Sequence, residues 1–88
     1  MEQKTISKHI EYFEQEMSRR FMSKQTVKNY SCCAEKYLYS FQDKEHPSHI
    51  SDDEFKTYLY RNFDEQNTQR SNHSAVKKFY EVVFNSYS

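Results

Sequence analysis

The side chains nearest to metal chemistry are Cys32, Cys33, His46 and His49. A structural zinc site calls for a Cys-x-x-Cys spacing, which lets two thiolates converge on one ion; adjacent cysteines on a helix point apart. The plainer reading is a pair of small, partly buried thiols. Adjacency is also a poor arrangement for a structural disulfide and fits a reducing cytosol. Serine, histidine and aspartate are all present, but no nucleophile elbow surrounds any serine. With no glycine in the chain, a glycine-rich phosphate loop is excluded. No metal, no cofactor and no catalytic residue is expected. His73, at the rim of an apolar stripe, reads as a half-buried histidine at the edge of the core rather than as a ligand or base.

The chemistry that the spacing does offer is binding. At 3.6 residues per turn, Gln25, Asn29 and Lys36 fall opposite the apolar stripe of their helix, with Lys28 beside them. Arg70, Ser74, Lys77 and Lys78 do the same further along. Amide side chains can read adenine edges, Arg and Lys can read guanine or hold phosphate, and hydroxyls can donate to phosphate. The formal net charge is zero, which argues against a nucleic-acid partner until the charge is mapped along the chain. Residues 1–22 balance. Lys24, Lys28 and Lys36 against Glu35 leave residues 23–42 at +2, and Arg70, Lys77 and Lys78 against Glu81 leave residues 67–88 at +2. Residues 43–66 carry −4. The bland alternative for each basic face is a solvated helix surface.

These faces need helices to hold them, and the apolar periodicity predicts four. Ile6, Ile10, Phe13, Met17 and Phe21 form one stripe of a helix over about 5–21, with Thr5 as its cap. Val27, Tyr30, Ala34, Tyr37, Leu38 and Phe41 form the stripe of a second over 24–41, capped by Ser23. Pro47 interrupts the pattern. Ser51 and Glu54 then have capping-box spacing, and Asp52 and Asp53 suit the first turn of a third helix over 52–62, with Phe55, Tyr58, Leu59 and Phe63 inward. A fourth runs over about 69–85 and closes the bundle with Val76, Phe79, Tyr80 and Val83. At 88 residues the chain is one domain, residues 1–88, all-α, with its core built from eight Tyr and seven Phe rather than from aliphatics. No apolar run is long enough to cross a bilayer and no signal peptide opens the chain, so a soluble, intracellular protein is expected.

Three segments carry a resemblance. "SKQTVKNYSCCAEKYLYSF" resembles the second helix of the N-terminal core-binding domain of tyrosine recombinases, the phage-integrase family, through Thr26, Tyr30, the pair Tyr37 and Leu38, and Phe41. "NHSAVKKFYEVVF" is similar to the last helix of that domain, through Asn72, Ser74, Ala75, Val76, Phe79 and Tyr80, and "HISDDEFKTYL" to its short third helix. The resemblance covers about residues 5–85. It implies a SAM-like, orthogonally packed four-helix domain whose second and fourth helices face the major groove of double-stranded DNA. Lys24, Lys28, Lys36, Lys77 and Lys78 would then hold phosphates, Thr26 would contact one, and Ser74 would support them. Gln25, Asn29 and Arg70 would meet base edges. The implied partners are duplex DNA, a catalytic domain of the same recombinase and neighbouring protomers, in a prokaryotic cytoplasm. The catalytic Arg, His-x-x-Arg and Tyr of the family belong to a separate domain for which this sequence has no room, so a non-catalytic module is expected. His73 stands where the family usually has Leu. The rival expectation is a small helical protein-interaction module, with the acidic third helix as its docking face.

Overall fold

The computed structural model describes residues 1–20 and 22–84. They form α1 (Gln3–Arg19), α2 (Lys24–Ser40), a 3-10 turn at Pro47–His49, α3 (Asp52–Asn62) and α4 (Gln66–Phe84). No strand occurs among the described residues. Helix α2 lies at the centre of the architecture, packed along both α1 and α4, and α3 leans on α4. The Cα envelope measures 32 × 29 × 26 Å. Four aligned helices about 10 Å apart would have a cross-section of only about 15 Å. The near-equal dimensions therefore fit helices that cross.

The core draws on the predicted stripes: Ile6, Ile10, Phe13 and Met17 from α1, Val27, Ala34, Tyr37 and Leu38 from α2, Tyr58 and Leu59 from α3, and Val76, Phe79 and Val82 from α4. Contrary to the expectation of a core made of rings, it is mostly aliphatic: among the described residues its buried rings are Phe13, Tyr37, Tyr58 and Phe79, and Phe41, Phe55 and Phe63 pack against it half-buried. Rings meet edge-on through it. Phe13 and Phe79 lie 5.3 Å apart at 88°, and Tyr37 meets Phe55 at 5.2 Å and Tyr58 at 5.6 Å. This geometry sets the positive edge of one ring against the negative face of the next. Tyr80 ties α4 to both neighbours. Its hydroxyl donates to the Pro47 carbonyl at 2.6 Å, so the 2.9 Å bond to Tyr37 must be donated by Tyr37.

Local chemistry sets most helix ends. Ser23 Oγ accepts from the Thr26 amide, and Ser51 and Glu54 form a complete capping box. His46 caps the 3-10 turn through Nδ1. Several expectations are corrected. Thr5 is not a cap: α1 begins at Gln3, with Glu2 in the cap position and no side-chain bond, because Gln and Lys extend a helix readily. Phe41 is the C-cap of α2 rather than its last turn. Helix α4 begins three residues before 69, because Gln69 Nε2 donates to the Phe63 carbonyl at 2.7 Å and anchors the incoming turn. Phe63 follows α3 as its C-cap and is half-buried. Val82 is buried and Val83 is not, while Tyr30 and Tyr80 are half-buried. Phe21 and Asn85, expected at helix ends, lie outside the described residues.

Candidate nucleic-acid interface

The side chains expected to bind are positioned by the stripes that oppose them. With Val27, Ala34 and Leu38 buried, α2 must present Lys24, Gln25, Lys28, Asn29 and Lys36 outward, and all five are exposed. With Ala75, Val76 and Phe79 buried, α4 presents Arg70, Ser74 and Lys77, also exposed, and Lys78, half-buried. Thr26 is half-buried in the cap of α2. Its Oγ1 accepts from Ser23 Oγ at 2.8 Å, which leaves its own proton free to donate.

Two details bear on what these groups can do. Gln25 Nε2 donates to Asn29 Oδ1 at 3.1 Å. The pair then offers the Gln25 carbonyl as an acceptor and the Asn29 amide as a donor, the combination that matches the N6 and N7 positions of adenine. Lys78 stands 3.9 Å from Glu81, a loose pair that leaves the ammonium available to phosphate.

Lys24 and Lys28 line an open groove of about 840 Å³ between α1 and α2, beside Glu14 and Arg19. Arg70 and Lys77 line hollows between α3 and α4. Lys56 of α3 lies in both of those hollows, although it was not among the expected binders: counted within an acidic segment, its charge is hidden. Asp53 and Glu54 line a different hollow on α3, with Phe41, Tyr58 and Arg61. The hollow of Asp53 and Glu54 is thus separate from the pair that Lys56 shares with Arg70 and Lys77 of α4.

His73 is exposed, contrary to its expected half-burial at the core edge. Its ring stacks on Phe55 at 5.3 Å and 16°. The neighbouring Asn72 turns inward instead and is buried, with Nδ2 donating to the Thr68 carbonyl at 2.9 Å. That bond to the preceding turn satisfies a polar group inside the core.

Cys32 is exposed and Cys33 half-buried, both as free thiols. Burial, and then the neighbouring Cys32, push the Cys33 thiol above its usual range, which keeps it protonated and a poor nucleophile or ligand. Among the described residues no group of three or more His, Cys, Asp or Glu is placed to hold a metal, and no helix is long and apolar enough to cross a membrane.

No curated protein matches the chain, and no solved structure does. The family model described as phage integrase, N-terminal SAM-like domain, matches residues 10–87. That span takes in the second half of α1, both basic faces and the capping box of α3, and the described fold is all-helical with four α-helices. The chain belongs to the family of phage integrase N-terminal SAM-like domains.

Proposed function

We propose that the chain is a duplex-DNA-binding module of a tyrosine recombinase, contributing position rather than chemistry. Helices α2 and α4 lie against the major groove. Lys24, Lys28, Lys36, Lys77 and Lys78 hold phosphates with Thr26 and Ser74, and Gln25, Asn29 and Arg70 meet base edges. The observation that carries this reading is that two helices packed on each other both turn basic and polar side chains to solvent, Lys, Gln and Asn from α2 and Arg, Lys and Ser from α4, within a chain that belongs to an integrase-domain family. A catalytic domain and neighbouring protomers would be its protein partners, and the whole would act on DNA in a prokaryotic cytoplasm. With zero net charge, the module alone binds weakly, because repulsion from its own carboxylates offsets part of the phosphate attraction.

The test is a titration against duplex DNA at several salt concentrations. Each neutralised phosphate contributes a slope of about −0.9 to log affinity against log salt, so five engaged lysines set a ceiling of about −4.5. Replacing Lys77 and Lys78 by Ala should weaken binding at every sequence and flatten the slope by about 2, with an unchanged melting temperature. A salt-independent affinity would sink the proposal. In that case a chemical-shift map confined to the acidic hollow of Asp53 and Glu54 would favour a protein-docking role.

A further inference from the structure

The edges of α3 and α4 that face each other bring Lys56 and Tyr60, one turn apart, alongside Arg70, His73 and Lys77. Two hollows of about 200 and 240 Å³ adjoin along this seam and share Lys56 and His73. Asp52 is the one carboxylate that lines them, against three permanent cations. The seam is thus positive where the acidic segment meets the basic fourth helix.

It also holds exposed rings. Phe55 stacks on one face of the His73 imidazole, and His73 as a whole is exposed, so the ring is held flat by a partner while remaining within reach of solvent. Tyr60 is 73% exposed, the most exposed large apolar side chain among the described residues. A DNA duplex keeps its base faces within its own stack and presents edges and phosphates, so outward ring faces gain nothing from it. A single strand offers both phosphates for the cations and unstacked base faces for the rings. An acidic peptide would satisfy the cations and leave the rings unused.

We propose that the α3–α4 seam is a binding site for single-stranded nucleic acid, with His73 and Tyr60 as stacking faces and Lys56 as a phosphate holder. It extends the duplex-binding reading, with which it shares Arg70 and Lys77, and gives this seam a separate strand. The experiment compares a short labelled oligothymidylate with a duplex by fluorescence anisotropy at low salt. Tyr60→Ala and His73→Ala should each weaken oligothymidylate binding by about fivefold or more. Lys56→Ala should flatten its salt slope by about 0.7. All three variants should leave duplex affinity unchanged. Tyr60, being largely exposed, can be replaced without disturbing the core, so its variant decides even if His73→Ala is destabilised. Unchanged oligothymidylate affinity in Tyr60→Ala overturns the site, as does equal displacement of the oligonucleotide by polyglutamate. If the wild-type protein binds oligothymidylate but not duplex, the duplex reading fails and this one stands; the reverse pattern removes this one alone.

Discussion

Phe79 shows what one ring carries in a core that is otherwise mostly aliphatic. It is fully buried and meets Phe13, Tyr80 and Phe84 at 5.3, 5.7 and 5.8 Å. Phe79→Ala should cost about 3–5 kcal/mol, the transfer free energy of the ring plus the cavity it leaves. For a domain whose whole stability is about 5–15 kcal/mol, that should appear as a large drop in the urea midpoint. A loss below about 1 kcal/mol would mean that the ring cluster is not the core. His9 is the residue through which pH should act. It is half-buried on α1, with His46 at 6.1 Å, Phe84 at 5.3 Å and Phe79 at 6.3 Å. Burial, and then His46, hold its imidazole below the usual range. A folded pKa below the unfolded one means that the unfolded chain binds more protons in the window between them. The contribution of His9 is therefore complete above about pH 6.5 and declines as the pH falls below it. Melting temperature should drop between pH 7.5 and 5.5, and His9→Gln should flatten that segment. The Lys44–Glu54 bridge at 2.8 Å acts in another window. The bond from Lys44 holds Glu54 below its usual range, so its exposed and correspondingly small contribution is present above about pH 4.5 and lost as the pH falls further.

Among the α-helices of the described residues, α3 is the shortest at 11 residues, too short to persist in water without help from its ends and neighbours. Its start has that help: the Glu54 amide donates to Ser51 Oγ at 3.1 Å, and the Ser51 amide donates to Glu54 Oε1 at 3.0 Å. Ser51→Ala should cost about 0.5–2 kcal/mol and lower the melting temperature by about 4–8 °C per kcal/mol. Thr5→Ala should change the melting temperature little, because no cap bond is lost at the start of α1. Equal shifts in the two variants would show that the capping box does not stabilise α3. The capping box could be read from Ser-x-x-Glu alone, since both bonds span three residues. The start of α4 could not, because it depends on Gln69 reaching the Phe63 carbonyl across a turn. The same holds for Tyr80, whose hydroxyl meets a carbonyl 33 residues away.

At the scale of the molecule, a formal charge of zero conceals three differently charged surfaces. Lys24 and Lys28 line the α1–α2 groove with Glu14, Asp53 and Glu54 line a hollow on α3, and Lys56 joins Arg70 and Lys77 along the α3–α4 seam. The salt slope of duplex binding and its response to Lys77→Ala with Lys78→Ala are properties of this whole arrangement, since screening weighs every exposed charge within about a Debye length. The sequence by itself determined four helices, their stripes, the cap at Ser23, the capping box at Ser51 and the outward direction of Lys28, Asn29, Lys36, Arg70 and Ser74. All of these follow from a 3.6-residue period and from bonds that span three or four positions. Only the tertiary structure decided that His73 faces out while Asn72 turns in, that Val82 is buried in preference to Val83, and that Lys56 joins Arg70 and Lys77. A stripe says which side of a helix is covered, but the width of that cover, and which charges meet at its edges, depend on where the neighbouring helix crosses.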